Sequence, residues 1–320
     1  MPRVEAARGS WSRRALVTGA AGFIGSHLVT RLSDQGWHVT GIDNERSGDW
    51  SRISVPCVRI ERDLATMSAA ELATATTGVD VCFHLAAEKH NSSRSTPQRV
   101  IDVNISGTRR LLEAAATSGV GKIVFTSSLY AYGSLGPAPM SEGDMPIPTT
   151  VYGTSKLAGE HLLRVAASSA GLRWSAARLF FVYGPGQYAE GGYKSVIVAN
   201  FERLRRRERP IIYGDGKQAL DYVYVDDVVG ALLMLAQPEH NGLVCNVGTG
   251  RAVSVGELTE IMLTISGSDL EPLSCPPDWT AGSARVADTR LARETLGWTA
   301  TTTIEEGLER VWASLGDMNG

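Results

Sequence analysis

Tyr152 and Lys156 stand four residues apart in the run YGTSK, so on a helix they share one face, a turn apart. An ammonium held beside a phenol stabilises the phenolate and pulls its pKa down toward neutral pH. Such a phenolate takes the proton of an alcohol hydroxyl. Ser128 closes the run FTSS, at the end of an apolar strand over 122–126, from which it can sit beside Tyr152. A Tyr and a Lys at this spacing also occur on exposed helix faces. The strand-end serine and a glycine turn upstream make that accident less credible.

The glycine turn is Gly19, Gly22 and Gly25, a GxxGxxG between a strand at 15–18 and a helix at 23–32. Small residues there let the backbone approach a pyrophosphate, and the helix N-terminus favours its negative charge. By itself the pattern also fits a plain tight turn. Asp43 closes the second strand, at 37–42, where a carboxylate binds both hydroxyls of an adenosine ribose and repels a 2′-phosphate. That favours NAD over NADP, with Arg46 a mild argument the other way. Asp63 and Leu64 follow the third strand, at 57–60, within reach of an adenine. With a nicotinamide at the strand ends, Tyr152 serves as base while hydride leaves a sugar or alcohol carbon.

These residues must be positioned by alternating strands and helices. Further strands are predicted at 80–85, 122–126 and 174–179, with helices near 68–76, 98–118 and from 150. That alternation implies a Rossmann-type, doubly wound parallel sheet with helices on both faces. Beyond 183 the pattern loosens into short strands at 211–213, 222–225 and 243–247. Helices are expected at 201–209, 226–236, 254–266 and 303–314. The arginine run in the first of these reads as a solvated face. The expected division is a tail over 1–13 and a NAD-binding domain over 14–180 with a returning segment near 219–247. A smaller interleaved substrate lobe takes 181–218 and 248–320.

Composition sets the outer limits. The chain has 320 residues, 43% of them hydrophobic and 20% charged, with a net charge of −3. That is a globular balance without the basic excess of a nucleic-acid binder. No apolar run reaches the roughly 18 residues of a membrane helix, and the N-terminus lacks the apolar stretch of a secretory signal. Cys57, Cys82, Cys245 and Cys275 are widely spaced, which argues against a disulfide framework or a zinc site and for a cytoplasmic protein.

Segments across the chain from about Arg14 resemble the extended short-chain dehydrogenase/reductases, the NAD-dependent nucleotide-sugar epimerase/dehydratase family. The matching runs are TGAAGFIGSHL, GIDN, HLAA, NISGT, FTSS, YGTSK, RLFFVYGPGQ, YGDGKQ, YVYVDDV and NVGTG. The resemblance implies that Phe23 and Ile24 lie over the pyrophosphate, that Asp43 and Asn44 hold the ribose, and that Asp63 and Leu64 flank adenine. It further implies that Leu85, Ala86, Ala87 and Thr126 line the cofactor, that Asn104 supports it, and that Phe180 lies near the nicotinamide. Ser128, Tyr152 and Lys156 would carry proton transfer, in a homodimer joined by a four-helix bundle.

Two departures bear on the branch. Sugar dehydratases of the family place carboxylates after the strand-end Ser/Thr, where this chain has Leu129 and Tyr130. Glu88 is the one upstream carboxylate able to enter the cleft, and a structural ion pair explains it equally well. An epimerase working through a transient keto sugar is therefore expected; the rival readings are a dehydratase, dehydrogenase or decarboxylase, or a non-catalytic NAD-binding protein. In the substrate lobe, Phe181, Leu220 and Asp278 stand where the family carries an Asn and two Arg that contact a nucleotide diphosphate. Leucine offers phosphate nothing. Either Lys194 or Lys217 supplies the cation, or the substrate is a sugar or polyol without a diphosphate. Lys194 is the preferred candidate, with Glu88, Tyr130 and Phe181 as further substrate contacts.

Overall fold

The computed structural model describes residues 13–133, 139–187, 194–277, 282 and 284–316. Nearly all of the tail over 1–13, and Asp278, lie outside the described residues.

Six strands, β1 (Arg14–Thr18), β2 (His38–Asp43), β3 (Val58–Glu61), β4 (Val81–His84), β5 (Lys122–Ser128) and β6 (Trp174–Leu179), pair in parallel. A seventh, Leu243–Val247, returns to pair with β6, giving the order Leu243–Val247, β6, β5, β4, β1, β2, β3. Leu16, Val17, Val124 and Phe125 are buried, which follows from their unbroken apolar runs: a sheet covered on both faces needs no polar alternation. The helices α1 (Phe23–Asp34), α2 (Ala69–Thr76), α3 (Ser92–Ser95), α4 (Pro97–Ile101), α5 (Thr108–Thr117) and α6 (Val151–Ala170) fall between these strands. One face packs Leu28 and Leu32 of α1 on Val17, and the other packs Leu72, Leu111 and Leu163 on Leu16 and Ile123. The strand order reverses between β1 and β4, and the carboxyl ends of those two strands open a crevice.

The helix predicted over 98–118 is interrupted. Asp102–Gly107 is a π-helical turn between α4 and α5, and it carries Asn104. The turn aims the Asn104 amide at the backbone after β4, where it accepts from Glu88 N at 2.8 Å and donates to Glu88 O at 3.1 Å.

In the second half, β7 (Phe181–Tyr183), α7 (Val196–Arg205), β8 (Ile211–Tyr213), β9 (Ala219–Leu220), β10 (Tyr222–Tyr224), α8 (Val225–Leu235) and β11 (Leu243–Val247) lead to β12 (Val253–Ser254). Then come α9 (Val255–Ser266), β13 (Leu273–Cys275), β14 (Ala284–Arg285) and α10 (Ile304–Gly316). The helix expected at 201–209 starts and ends earlier. Ser195 caps its N-terminus by accepting from Val198 N, and Arg207, in the left-handed region at φ 56°, terminates it. Phe201, Leu204, Leu258, Leu308 and Tyr222 share the core of this region. Asp221, fully buried, ties it to the strand ends by accepting from the backbone N–H groups of Thr249, Gly250 and Ala287.

Candidate active site

A cleft of about 400 Å³ lies at the carboxyl ends of the central strands. Its floor is the turn from β1 to α1. Gly19 holds φ at 73°, and a Cβ on Gly25 would stand 2.0 Å from Gly19 O, so neither position admits a side chain. The N-cap of α1, Gly22, has no capping side chain, and the first turn carries no acid; the helix presents its N–H groups and dipole uncompensated. Phe23, Ile24, Leu85, Ala86, Ala87 and Phe180 form apolar walls around it. This set fits NAD: an anion-ready turn, a carboxylate at the end of β2 and a flat apolar slot beside Tyr152.

Asp43 is 9% exposed and accepts from Ala21 N at 3.1 Å and Glu45 N at 2.8 Å. Burial pushes its carboxyl up, and the Glu45 and Ala21 N–H groups pull it back. Asn44 also lines the cleft and donates to Asp63 at 3.0 Å. Burial alone would raise the Asp63 carboxyl, but Arg99, Ala65 N–H and Asn44 together hold it below the usual range. Leu64, 4% exposed, packs beneath.

Ser128, Tyr152 and Lys156 converge on the same cleft, one from the end of β5 and two from the first turns of α6. Thr150 caps that helix by accepting from Gly153 N at 3.0 Å, which fixes where its first turn begins. Lys156 Nζ donates to Thr126 O at 2.8 Å and lies 5.7 Å from the centre of the Tyr152 ring. Burial pushes the Tyr152 phenol up to about 12, against the pull of the Ser128 hydroxyl beside it. Burial likewise pushes Lys156 down to about 7. Neither group holds its charge readily alone in this low-dielectric site.

Glu88 lines the cleft, but both carboxylate oxygens are engaged. Oε2 accepts from Ser92 at 3.1 Å; Oε1 accepts from Arg99 at 3.1 Å and lies 3.3 Å from Arg46 Nε. The geometry is that of an ion pair, with Arg46 and Arg99 both at Oε1. Lys194, the expected phosphate ligand, is not in the cleft wall. Its ammonium pairs with Glu202 at 2.7 Å across the first turns of α7. Lys217 is 85% exposed beside Asp215. Asn104 also lies behind the wall, as a support donating to Ser155 at 3.0 Å.

Three residues were not singled out from sequence. Arg99 bridges Asp63 and Glu88. His90 stacks on Tyr130 at 4.2 Å and meets the edge of Tyr152 at 6.2 Å. Arg285 lies over the Tyr130 ring at 5.0 Å. His90 closes the run HLAAEKH and was the one with a positional signal. Arg285 sits in a stretch with no periodic pattern.

Fold and cleft together define a Rossmann-type dinucleotide site with a serine, tyrosine and lysine at its reacting end. The chain belongs to the NAD-dependent epimerase/dehydratase family, whose model matches residues 15–248. A UDP-glucose 4-epimerase of Mycolicibacterium smegmatis is 37% identical over 308 residues, covering 93% of this chain and 96% of that one. Among solved structures, the UDP-glucose 4-epimerase of Thermotoga maritima with UDP-glucose superposes with a TM-score of 0.89. It is 34% identical and covers 96% of this chain and 100% of its own. MoeE5 in complex with UDP-glucuronic acid and NAD superposes with a TM-score of 0.85 at 35% identity, covering 95% of this chain and 99% of that one.

Proposed function

We propose that this chain interconverts two 4-epimers of a nucleotide sugar through a transient keto sugar. The observation that carries the reading is the reacting end of the cleft. The Tyr152–Ser128 pair has Leu129, 1% exposed, and the ring of Tyr130 where elimination chemistry would require carboxylates. Glu88, the remaining carboxylate, is occupied by arginines. The full-length likeness to UDP-glucose 4-epimerases supports the same reading.

Asp43 and Asn44 would hold the adenosine ribose, Asp63 and Leu64 the adenine, and the N-terminus of α1 the pyrophosphate. When bound, NAD would supply the hydride acceptor and donor at the reacting carbon and a positive ring charge near Tyr152. Tyr152 takes the sugar hydroxyl proton beside Ser128 and later returns it. Burial leaves the Lys156 proton easily lost near neutral pH, and a phenolate at Tyr152 would favour its retention. The two ionisations therefore support one another as a coupled pair. Asp43 faces the ribose hydroxyls and selects NAD over its 2′-phosphate form.

The same reading assigns residues 14–180 and 219–247 to cofactor binding and 181–218 and 248–320 to the substrate, in a cytoplasmic homodimer paired through the helices of 98–118 and 150–170. Among the described residues no helix is long and apolar enough to cross a membrane, and all four cysteines are free thiols. Incubating the purified protein with UDP-glucose and following the sugar by proton NMR tests the activity. Appearance of UDP-galactose without NADH release supports an epimerase. A dehydrated or oxidised product, or stoichiometric NADH, would mean another branch of the family.

A further inference from the structure

We propose that the buried Glu160 carboxylate positions Tyr152 against Ser128, by tying α6 to β5 and β6 next to the proton-transfer residues; this deepens the epimerase reading and rests on it. Tyr152, Lys156 and Glu160 follow one another at intervals of four on α6 and so wind along one face of the helix. Glu160 Oε1 accepts from Ser127 Oγ at 2.5 Å and from Arg178 Nε at 2.9 Å, and Oε2 accepts from Arg178 Nη2 at 2.8 Å. Ser127 and Arg178 are themselves partners in the ladder between β5 and β6, and the next rung holds Ser128. One carboxylate therefore joins the helix that carries Tyr152 to the strand that ends at the serine.

Stability alone does not account for this arrangement. Glu160 and Arg178 are both buried, and the attraction within a buried ion pair repays its desolvation only in part, so packed apolar side chains of similar volume often hold a fold as well. What apolar side chains lack is direction. α6 lies close against its neighbours: a Cβ on Gly159 would stand 2.4 Å from Phe125 Cζ, and one on Gly153 would stand 2.2 Å from Tyr130 O. Such contacts set the gap between helix and sheet, while charge-assisted hydrogen bonds of fixed geometry set the position along the helix axis. The Arg178 guanidinium is held in turn over the Tyr132 ring, 4.6 Å from its centre. Misplacing reacting groups by about 1 Å can cost about 10²-fold in rate, and Tyr152 moves with any slide of α6 along β5.

A cycle of substitutions tests this, read by kcat and KM for epimerisation of UDP-glucose or UDP-glucuronate, with the bound NAD measured on each protein. Ser127→Ala cuts the tie to β5 and leaves the ion pair in place; its kcat should fall about tenfold with KM changed by less than about twofold. Glu160→Leu combined with Arg178→Met replaces the whole pair by apolar bulk; kcat should fall about 10²-fold while NAD stays bound and the urea midpoint changes little. In a Tyr152→Phe background each change should cost less than about twofold further in single-turnover rate, because its effect runs through the tyrosine. Losses that multiply undiminished in that background would make the pair merely structural and overturn the proposal. So would a kcat within about twofold of wild type in either variant. Where the double substitution does not fold, Ser127→Ala decides alone. Wild-type protein that turns over neither sugar overturns the epimerase reading, and this proposal with it; every other outcome is read against an active wild type.

Discussion

Tyr152 is held by its surroundings more than by any bond it makes. His90 and Tyr130 meet it edge-on, and Lys156 lies below. Burial without charge keeps the phenol protonated at rest, with a pKa of about 12. Tyr152→Phe preserves the ring packing and removes the only strong base candidate at the end of α6. Turnover should fall by about 10²–10⁴-fold while NAD remains bound, checked by single-turnover kinetics and by the cofactor released on denaturation. Ser128→Ala should cost less, since the proposed role of the serine is only to bridge the proton. Full activity in Tyr152→Phe would point to another base. At this scale the sequence was most readable, because YGTSK, FTSS and the glycine turn are local patterns. The surroundings of Arg285 were not readable: they come from a strand pairing with β9 and from a ring more than 150 positions away.

The strands of the central sheet were legible as apolar runs bounded by glycine and polar residues, and their ends fall within a residue or two of expectation. The π turn was not, because its cause is remote: Asn104 is drawn to the backbone after β4, and a helical repeat pattern does not encode that contact. The start of α7 was missed for a related reason, since the arginine run outweighed the single capping serine at 195. The end of β4 carries a testable consequence. His84 is 1% exposed, with Nδ1 at 2.7 Å from Thr18 Oγ1 and Nε2 at 2.8 Å from Thr108 Oγ1. Burial first, and the Lys156 charge second, push its pKa from the usual 6.5 down to about 3. The folded imidazole stays neutral while the unfolded one takes a proton below 6.5, so stability falls as pH drops through that window. Its limiting slope is about 1.4 kcal/mol per pH unit. His84→Asn should be less stable than wild type at neutral pH, yet lose less stability between about pH 6.5 and pH 4. Urea unfolding of both proteins across that range checks it; parallel curves would contradict the buried neutral histidine.

For the whole molecule, the sheet order brings the residues proposed for cofactor binding and for proton transfer to one edge, and Phe181 and Gln187 from the second half of the chain line the same cleft. Among the exposed apolar side chains are Ile101 on α4, at 38% exposure, and Val165 on α6, at 62%. Both belong to the outer helices expected to pair in a homodimer. Light scattering at micromolar concentration should give twice the mass of one chain, and Val165→Asp should shift it toward the monomer; a wild-type monomer would refute the pairing. The central claim is that the hydrogen on the reacting carbon leaves for the cofactor and comes back to the same carbon. Mass spectrometry of the product from a nucleotide sugar deuterated at C4, run in ordinary water, measures this directly. The epimer is expected to form with its deuterium retained. Loss of the label to solvent, or a product lighter by one water, would contradict it.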